Sequence, residues 1–246
     1  MQRNRGGIAM KTLFSLLVSL LLAVVSPAGL AAEADAKWNA ADGEHIAALK
    51  FPGDAKAGKE GYYFCVECHL ARGGGRIDGK VPQLAGQLRT VLIKQISDIR
   101  TGRRDNASMH PSAKDLADAQ EVADVAAYIE TLCIPGTHGT YEAPDAVKRM
   151  AAGVTLYEKD CVVCHGANGA GDKDKFYPMV AGQHYKYLLR QLTEIRDGKR
   201  RNAHPEMIKV VAPYSNDQLV ELAAYQASLA TPGTVCKGGP PTVKKK

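Results

Sequence analysis

"YYFCVECHLARGGG", residues 62–75, packs two cysteines and a histidine into five positions, Cys65, Cys68 and His69. Such a cluster can hold a zinc ion, form a redox dithiol or carry a haem. The choice among them decides the fold, and the rest of the chain makes it.

The cluster has a second copy. "CVVCH" at 161–165 stands 96 residues after "CVECH" at 65–69. At the same offset "VPQLAGQ" (81–87) faces "YPMVAGQ" (177–183), Gln95 faces Gln191, and "GRRDNA" (102–107) faces "GKRRNA" (198–203). Further on, "AAY" at 126–128 faces "AAY" at 223–225 at an offset of 97. The chain is a duplicated domain, and a period this long is no solenoid unit. We expect one domain over 37–137, a Gly- and Pro-containing linker over 138–145, and a second domain over 146–236.

Each copy reads as three main helices with long loops. The first helix covers roughly 54–64 and 145–160 and ends at the cysteines. The second follows "AGQ", where Leu88, Leu92, Ile96 and Ile99 recur at helical spacing, as do Leu188, Leu192 and Ile195. The third begins at the capping pairs Asp118/Glu121 and Ser215/Gln218, and Pro135 and Pro232 close it. No strand pattern appears, so the class is all-α. Loops this long need an organiser, and a cofactor between the helices supplies one. Aromatic residues are only 6% of the chain, so a bulky cofactor would also add core.

The residue types favour haem. A structural zinc site takes four ligands, and each copy offers one Cys pair. A dithiol of the thioredoxin kind belongs near a βαβ unit, and none is legible. Thiols at i and i+3 share one face of a helical turn, so both can form thioethers with one porphyrin edge while the next histidine reaches the iron. We therefore expect two covalently attached haem c groups on Cys65 and Cys68 and on Cys161 and Cys164, with His69 and His165 as axial ligands. The sixth positions fall to Met109 and Met207, which follow the matched "NA" in polar loops. His110 and His204 stand beside them without matching each other. His45, His138 and His184 have no repeat partner and read as core or surface histidines.

The motifs together resemble class I cytochrome c: Cys-x-x-Cys-His, Pro-x-apolar-Ala-Gly-Gln, the Gly-Arg/Lys-Arg-x-Asn stretch, a Met and a terminal "AAY" helix. Two such domains in tandem are similar to periplasmic dihaem cytochromes, over about residues 54–236. The resemblance implies that the carbonyls of Pro82 and Pro178 accept a bond from the proximal histidines. It also implies that the first and last helices of each domain cross, with Gly58 or Gly61 and Gly153 beside Tyr128 and Tyr225. The first copy departs from the pattern with "HLARGGG" against "HGANGAG" and a Met segment two residues shorter.

Outside the motifs, Met10-Lys11 precedes an apolar run of 13 residues, Leu13–Val25, and a small-residue exit. That is an export leader, with cleavage near Ala32 and a leader over 1–32. It is too short for a bilayer span, which takes about 20 apolar residues. Loss of Arg3, Arg5 and Lys11 takes the formal charge from +6 to +3. Three more cations, Lys244, Lys245 and Lys246, sit in a basic tail over 237–246 expected to be disordered. The remaining body is near neutral and carries no nucleic-acid footprint. Arg103, Arg104, Lys199, Arg200 and Arg201 read mainly as a solvated face. In an oxidising compartment the two cysteines left over, Cys133 and Cys236, pair as a disulfide.

The expected protein is a soluble periplasmic carrier of single electrons, docking transiently with redox partners such as a membrane-bound quinol-oxidising complex and a terminal oxidase or reductase. A dihaem peroxidase with an exchangeable ligand on the first haem, and a haem subunit of a dehydrogenase, are the alternatives.

Overall fold

The structure is a computed structural model that describes residues 38, 43–233 and 236. The leader and the basic tail lie outside the described residues. The described elements are helices, with one isolated bridge between Asp172 and Tyr177.

The first half contains α1 (Glu44–Leu49), α2 (Ala55–Gly61), α3 (Tyr63–His69), α4 (Arg89–Arg100), α5 (His110–Lys114) and α6 (Ala119–Thr131). The second contains α7 (Ala146–Asp160), α8 (Val162–His165), α9 (Tyr185–Arg196), α10 (Pro205–Val211) and α11 (Asn216–Ser228). The three-helix reading is thus too coarse. The first Cys-x-x-Cys-His lies on its own short helix, α3, after a break at Tyr62; the second starts at Cys161, the N-cap of α8, and continues along that helix to His165. The methionine segments are not loops either. Met109 caps α5, and Met207 sits inside α10, where Pro205 pre-sets the first turn.

The third-helix caps differ. Ser215 and Gln218 form the full reciprocal box. Asp118 accepts the Glu121 N–H, but the Glu121 carboxylate takes the N–H of Ala117 at 2.6 Å instead of closing the box.

In each half the first and last long helices cross at a glycine. A Cβ on Gly58 would lie 1.9 Å from the carbonyl oxygen of Asp124 in α6, and one on Gly153 would lie 2.2 Å from that of Glu221 in α11. Between Gly58 and Gly61, it is therefore Gly58 that meets backbone. Beside each crossing two tyrosines meet edge to face with centroids 5.3 Å apart, Tyr62 with Tyr128 and Tyr157 with Tyr225. Leucines and isoleucines of α4 or α9 pack beneath, among them Leu92 and Ile93 with Val122, Val125 and Ile129, and Leu188, Leu192 and Ile195 with Leu219 and Leu222.

Upstream of the cysteines the repeat register shifts by one residue. Tyr62 and Tyr157 play the same part: each hydroxyl donates to a backbone carbonyl, of Leu70 or Gly166, at 2.8 Å. Two residues lie between Tyr62 and Cys65 and three between Tyr157 and Cys161, so the first domain is one residue shorter there.

Leu70 occupies the place of Gly166. Its backbone has φ 65° and ψ 161°, close to the 74° and 158° of Gly166. This region is nearly reserved for glycine and costs about 1–3 kcal/mol in other residues. Leu70 is 48% exposed and packs little in return. Leu70→Gly is therefore expected to stabilise the protein by about 1 kcal/mol, read as a rise in the thermal midpoint. A fall would show that Leu70 contributes packing that outweighs its backbone.

Cys133 and Cys236 are joined in a disulfide, and the Cys236 N–H donates to the Ile134 carbonyl at 2.8 Å. The bond ties the end of the second domain to the segment that follows α6.

Candidate haem-binding sites

The loop after each histidine is folded back by the same bonds. The carbonyl of Gly73 accepts from Leu84 and Ala85, and that of Gly169 accepts from Val180 and Ala181. The histidine carbonyls accept from Gly75 and Gly171 at 3.1 and 2.9 Å. Gly75 and Gly171 have φ of +65° and +76°, and a Cβ there would come within 2.4 Å of the Pro82 carbonyl oxygen or 2.3 Å of that of Tyr177. These folds bring a proline carbonyl to each imidazole. His69 Nδ1 is 3.0 Å from the Pro82 oxygen, and His165 Nδ1 is 2.9 Å from the Pro178 oxygen.

A carbonyl only accepts, so Nδ1 carries the proton in both rings and Nε2 keeps its lone pair. Burial presses the His69 pKa down to about 4 and lowers that of His165, with the proline bond opposing in each case. Both imidazoles are therefore neutral at pH 7 and ready to donate to a metal. His69 Nε2 stands 3.5 Å from the sulfur of Met109. Two lone-pair donors facing each other with no proton between them are poor neighbours and suitable partners for one metal ion. The shorter Met segment of the first domain thus still brings Met109 up to His69.

One cavity of about 820 Å³ joins the two halves. Cys65, Cys68, His69 and Met109 line one side of it. Cys161, Cys164, His165 and Met207 line the other. None of these four cysteines is in a disulfide. Burial raises Cys65 to about 11 and Cys161 to about 12, so neither is a ready thiolate for dithiol exchange. Among the described residues no three His, Cys, Asp or Glu side chains converge as a metal-binding group. The zinc reading has no ligand set here.

The neighbouring histidines have other work. The His204 ring accepts the Glu206 N–H as cap of α10 and meets the Trp38 ring at a tilt of 58°, with centroids 4.6 Å apart. His110 is exposed. His184 is buried between the domains, with Nε2 donating to the Gly74 carbonyl at 2.8 Å and Nδ1 accepting from the Gly139 N–H at 3.0 Å. His138 Nε2 donates to the Ala227 carbonyl. His45 is 1% exposed and meets Phe176 edge to face at 6.5 Å.

Two of the five basic residues expected on a solvated face, Arg104 and Arg200, turn inward, while Lys199 and Arg201 stay exposed. Arg104 donates to Gln95 (2.8 Å) and Gln191 (2.9 Å), and Arg200 donates to Gln191 (3.0 Å) and Gln95 (2.9 Å). The pattern is two-fold symmetric about the domain boundary, and all four side chains line the cavity. Burial and the adjacent Arg104 guanidinium press Arg200 down to about 9, so the pair still places positive charge at that wall. A haem bears two carboxylates, and this wall suits them. Arg201 pairs across the boundary with Asp105 at 2.6 Å in an exposed bridge, worth little by itself.

A second two-fold motif lies beside the histidines. The Gln87 side chain binds both backbone groups of Met179, at 3.0 and 2.9 Å, and the Gln183 side chain binds both backbone groups of Gln83, at 2.9 and 3.0 Å. Neither motif was assigned a role from sequence. The only signal available was polar identity at repeat-equivalent positions in "AGQ" and at Gln95 and Gln191.

Two helical domains that each turn a Cys-x-x-Cys-His and a methionine toward a shared cavity define a dihaem protein of the c type. The chain belongs to the cytochrome c family, whose model matches residues 55–133 and 150–230. It is 32% identical over 191 residues to cytochrome c4 of Azotobacter vinelandii, covering 70% of this chain and 88% of that one. It is 34% identical over 171 residues to a thiosulfate dehydrogenase electron acceptor of Stutzerimonas stutzeri, covering 67% of this chain and 78% of that one. The crystal structure of reduced recombinant cytochrome c4 from Pseudomonas stutzeri superposes with a TM-score of 0.63 at 30% identity, over 72% of this chain and 100% of that one. The chain is a cytochrome c4-like dihaem electron carrier, with two covalently bound haem c groups. No helix among the described residues is long and apolar enough to cross a membrane.

Proposed function

We propose that His69 with Met109, and His165 with Met207, are the axial pairs of two haem irons held by thioethers to Cys65 and Cys68 and to Cys161 and Cys164. Bound haem supplies an iron that alternates between ferric and ferrous. The protein's part is to keep both axial positions filled, fix the imidazoles through Pro82 and Pro178, and exclude water. A thioether opposite an imidazole favours the ferrous state and leaves no open position for oxygen or peroxide. That is the chemistry of a carrier of single electrons. The carrier works in the periplasm, between a quinol-oxidising complex and a terminal oxidase or reductase, through small transient contacts.

The observation that carries this reading is the facing of the His69 Nε2 lone pair and the Met109 sulfur at 3.5 Å, with Nδ1 already committed to Pro82. Optical and magnetic spectra of Met109→Ala and Met207→Ala test it. Each variant is expected to lose one of two Met–iron charge-transfer signatures and keep the other. Two intact signatures in either variant would overturn that methionine's assignment.

A second reading has its own support, the likeness to a thiosulfate dehydrogenase electron acceptor. Here the donor is a dehydrogenase rather than a quinol-oxidising complex. Stopped-flow reduction of the oxidised protein by each donor separates the two.

A further inference from the structure

The glutamine clasps do more than join two domains, because each lands on one particular peptide group. The peptide between Pro82 and Gln83 offers its carbonyl to His69 Nδ1 at 3.0 Å. The same peptide's N–H donates to the side-chain oxygen of Gln183, in the other domain, at 3.0 Å. The peptide between Pro178 and Met179 repeats this. Its carbonyl accepts from His165 Nδ1 at 2.9 Å, and its N–H donates to the side-chain oxygen of Gln87 at 2.9 Å. Gln83, Met179 and Gln183 are 3, 7 and 7% exposed, so little water competes.

A peptide group transmits polarity. When its N–H is bound to an oxygen, its carbonyl becomes a stronger acceptor, and bonds in such a chain reinforce one another by about 10–30%. A stronger acceptor at Nδ1–H makes the imidazole a better electron donor at Nε2, and outer-shell partners of this kind tune a metal through its ligand. Electron-rich imidazole favours ferric iron.

We infer that Gln183 and Gln87 are positioning residues that set the reduction potential of the haem in the opposite domain, by polarising the peptide that holds that domain's proximal histidine. The inference rests on the proposed histidine ligation. The arrangement is crossed: each glutamine reaches the histidine-holding peptide of its partner domain, and the same oxygen also accepts the N–H of the next residue in its own domain, His184 at 3.0 Å or Leu88 at 3.1 Å.

The test is a redox titration of the intact dihaem protein followed by paramagnetic NMR. The haem methyl signals are assigned to each domain by their perturbation in Met109→Ala. Gln183→Leu removes the acceptor and is expected to raise the potential of the first-domain haem, so that its ferrous-to-ferric ratio at fixed ambient potential rises about three- to tenfold, tenfold being about 59 mV for one electron. Gln87→Leu is expected to do the same to the second-domain haem. Gln183→Glu and Gln87→Glu keep an acceptor oxygen with more negative charge and are expected to leave the opposite haem at or below its original potential. They also serve if a leucine variant does not load haem. A shift confined to the haem of the substituted domain, leucine and glutamate moving the potential the same way, or no shift at all would overturn the relay. Loss of the Met–iron signatures in the unsubstituted protein would instead overturn the ligand assignment.

Discussion

Gly153→Ala is expected to destabilise the haem-loaded protein by about 3 kcal/mol or more, as a small-to-large change where neither side can yield. The added methyl carbon would sit 2.2 Å from the Glu221 carbonyl oxygen and 2.7 Å from the Tyr225 Cβ. No rotamer change relieves a contact with backbone, so α7 and α11 must move apart. They are the frame on which Tyr157 and Tyr225 meet and from which Tyr157 braces the turn after His165. For a chain of this size each kcal/mol is worth about 2–4 °C, so the midpoint should fall by about 6–12 °C. Gly58→Ala, with its methyl 1.9 Å from the Asp124 carbonyl oxygen, should behave alike in the first domain. Gly198→Ala is the control. Its φ is +69° but nothing lies within 4 Å of a Cβ there, so it carries only the left-handed strain of about 1 kcal/mol. Thermal unfolding of the three variants checks the ranking. A Gly153→Ala midpoint no lower than that of Gly198→Ala would show that the helices have room to separate.

Asp98→Ala should cost about 3–5 kcal/mol, because it leaves a buried ammonium without its counter-charge. Lys94 Nζ lies 2.8 Å from Asp98 Oδ2, and the two side chains are 2% and 1% exposed. The pair also serves the domain boundary. Asn202 Nδ2 donates to Asp98 Oδ2 at 2.8 Å from the second domain, and the Lys94 ammonium stands over the Trp38 ring at 4.5 Å. Trp38 in turn donates from Nε1 to the Asn202 carbonyl at 3.0 Å. With Asp98 gone, Lys94 keeps, among the described residues, only the ring, a contact worth about 2 kcal/mol when desolvated. The double variant Lys94→Met/Asp98→Leu removes both charges and should recover most of the loss, since apolar replacements of buried ion pairs are often neutral. Denaturant unfolding of the single and double variants measures the difference. A double variant no more stable than Asp98→Ala would show that Asn202 and Trp38, rather than the charge pair, carry the energy.

Much of the molecule was legible because its signals are local or repeated. Cys-x-x-Cys-His needs one helical turn to place two thiols and a histidine together, and its recurrence after 96 residues points to two domains. Of the periodic apolar residues, Leu92, Ile96 and Ile99 lie on α4 with Leu88 at its N-cap, Leu188, Leu192 and Ile195 lie on α9, and the terminal "AAY" stretches lie on α6 and α11. Other features were misread for physical reasons. The polar stretches around Met109 and Met207 looked like loops, yet short helices form there because a cap or an N1 proline needs no apolar periodicity. The helix before the first cysteines breaks at Tyr62, one residue out of repeat register, and a strict offset hides the match of Tyr62 to Tyr157. Arg104 and Arg200 read as solvated charge because charge alone does not say which way a side chain turns.

By itself the sequence determined the covalent chemistry, the domain number and the helical class, since each depends on residues near one another along the chain or on the register of the repeat. Only the tertiary structure decided how the domains face. Gln87 reaches Met179, 92 residues away, Gln183 reaches Gln83, 100 residues away, and Arg104 and Arg200 share Gln95 and Gln191. These are single polar contacts between distant segments. They have no periodicity and no obligatory spacing, and they exist because closing the two domains together leaves buried backbone groups that must find partners.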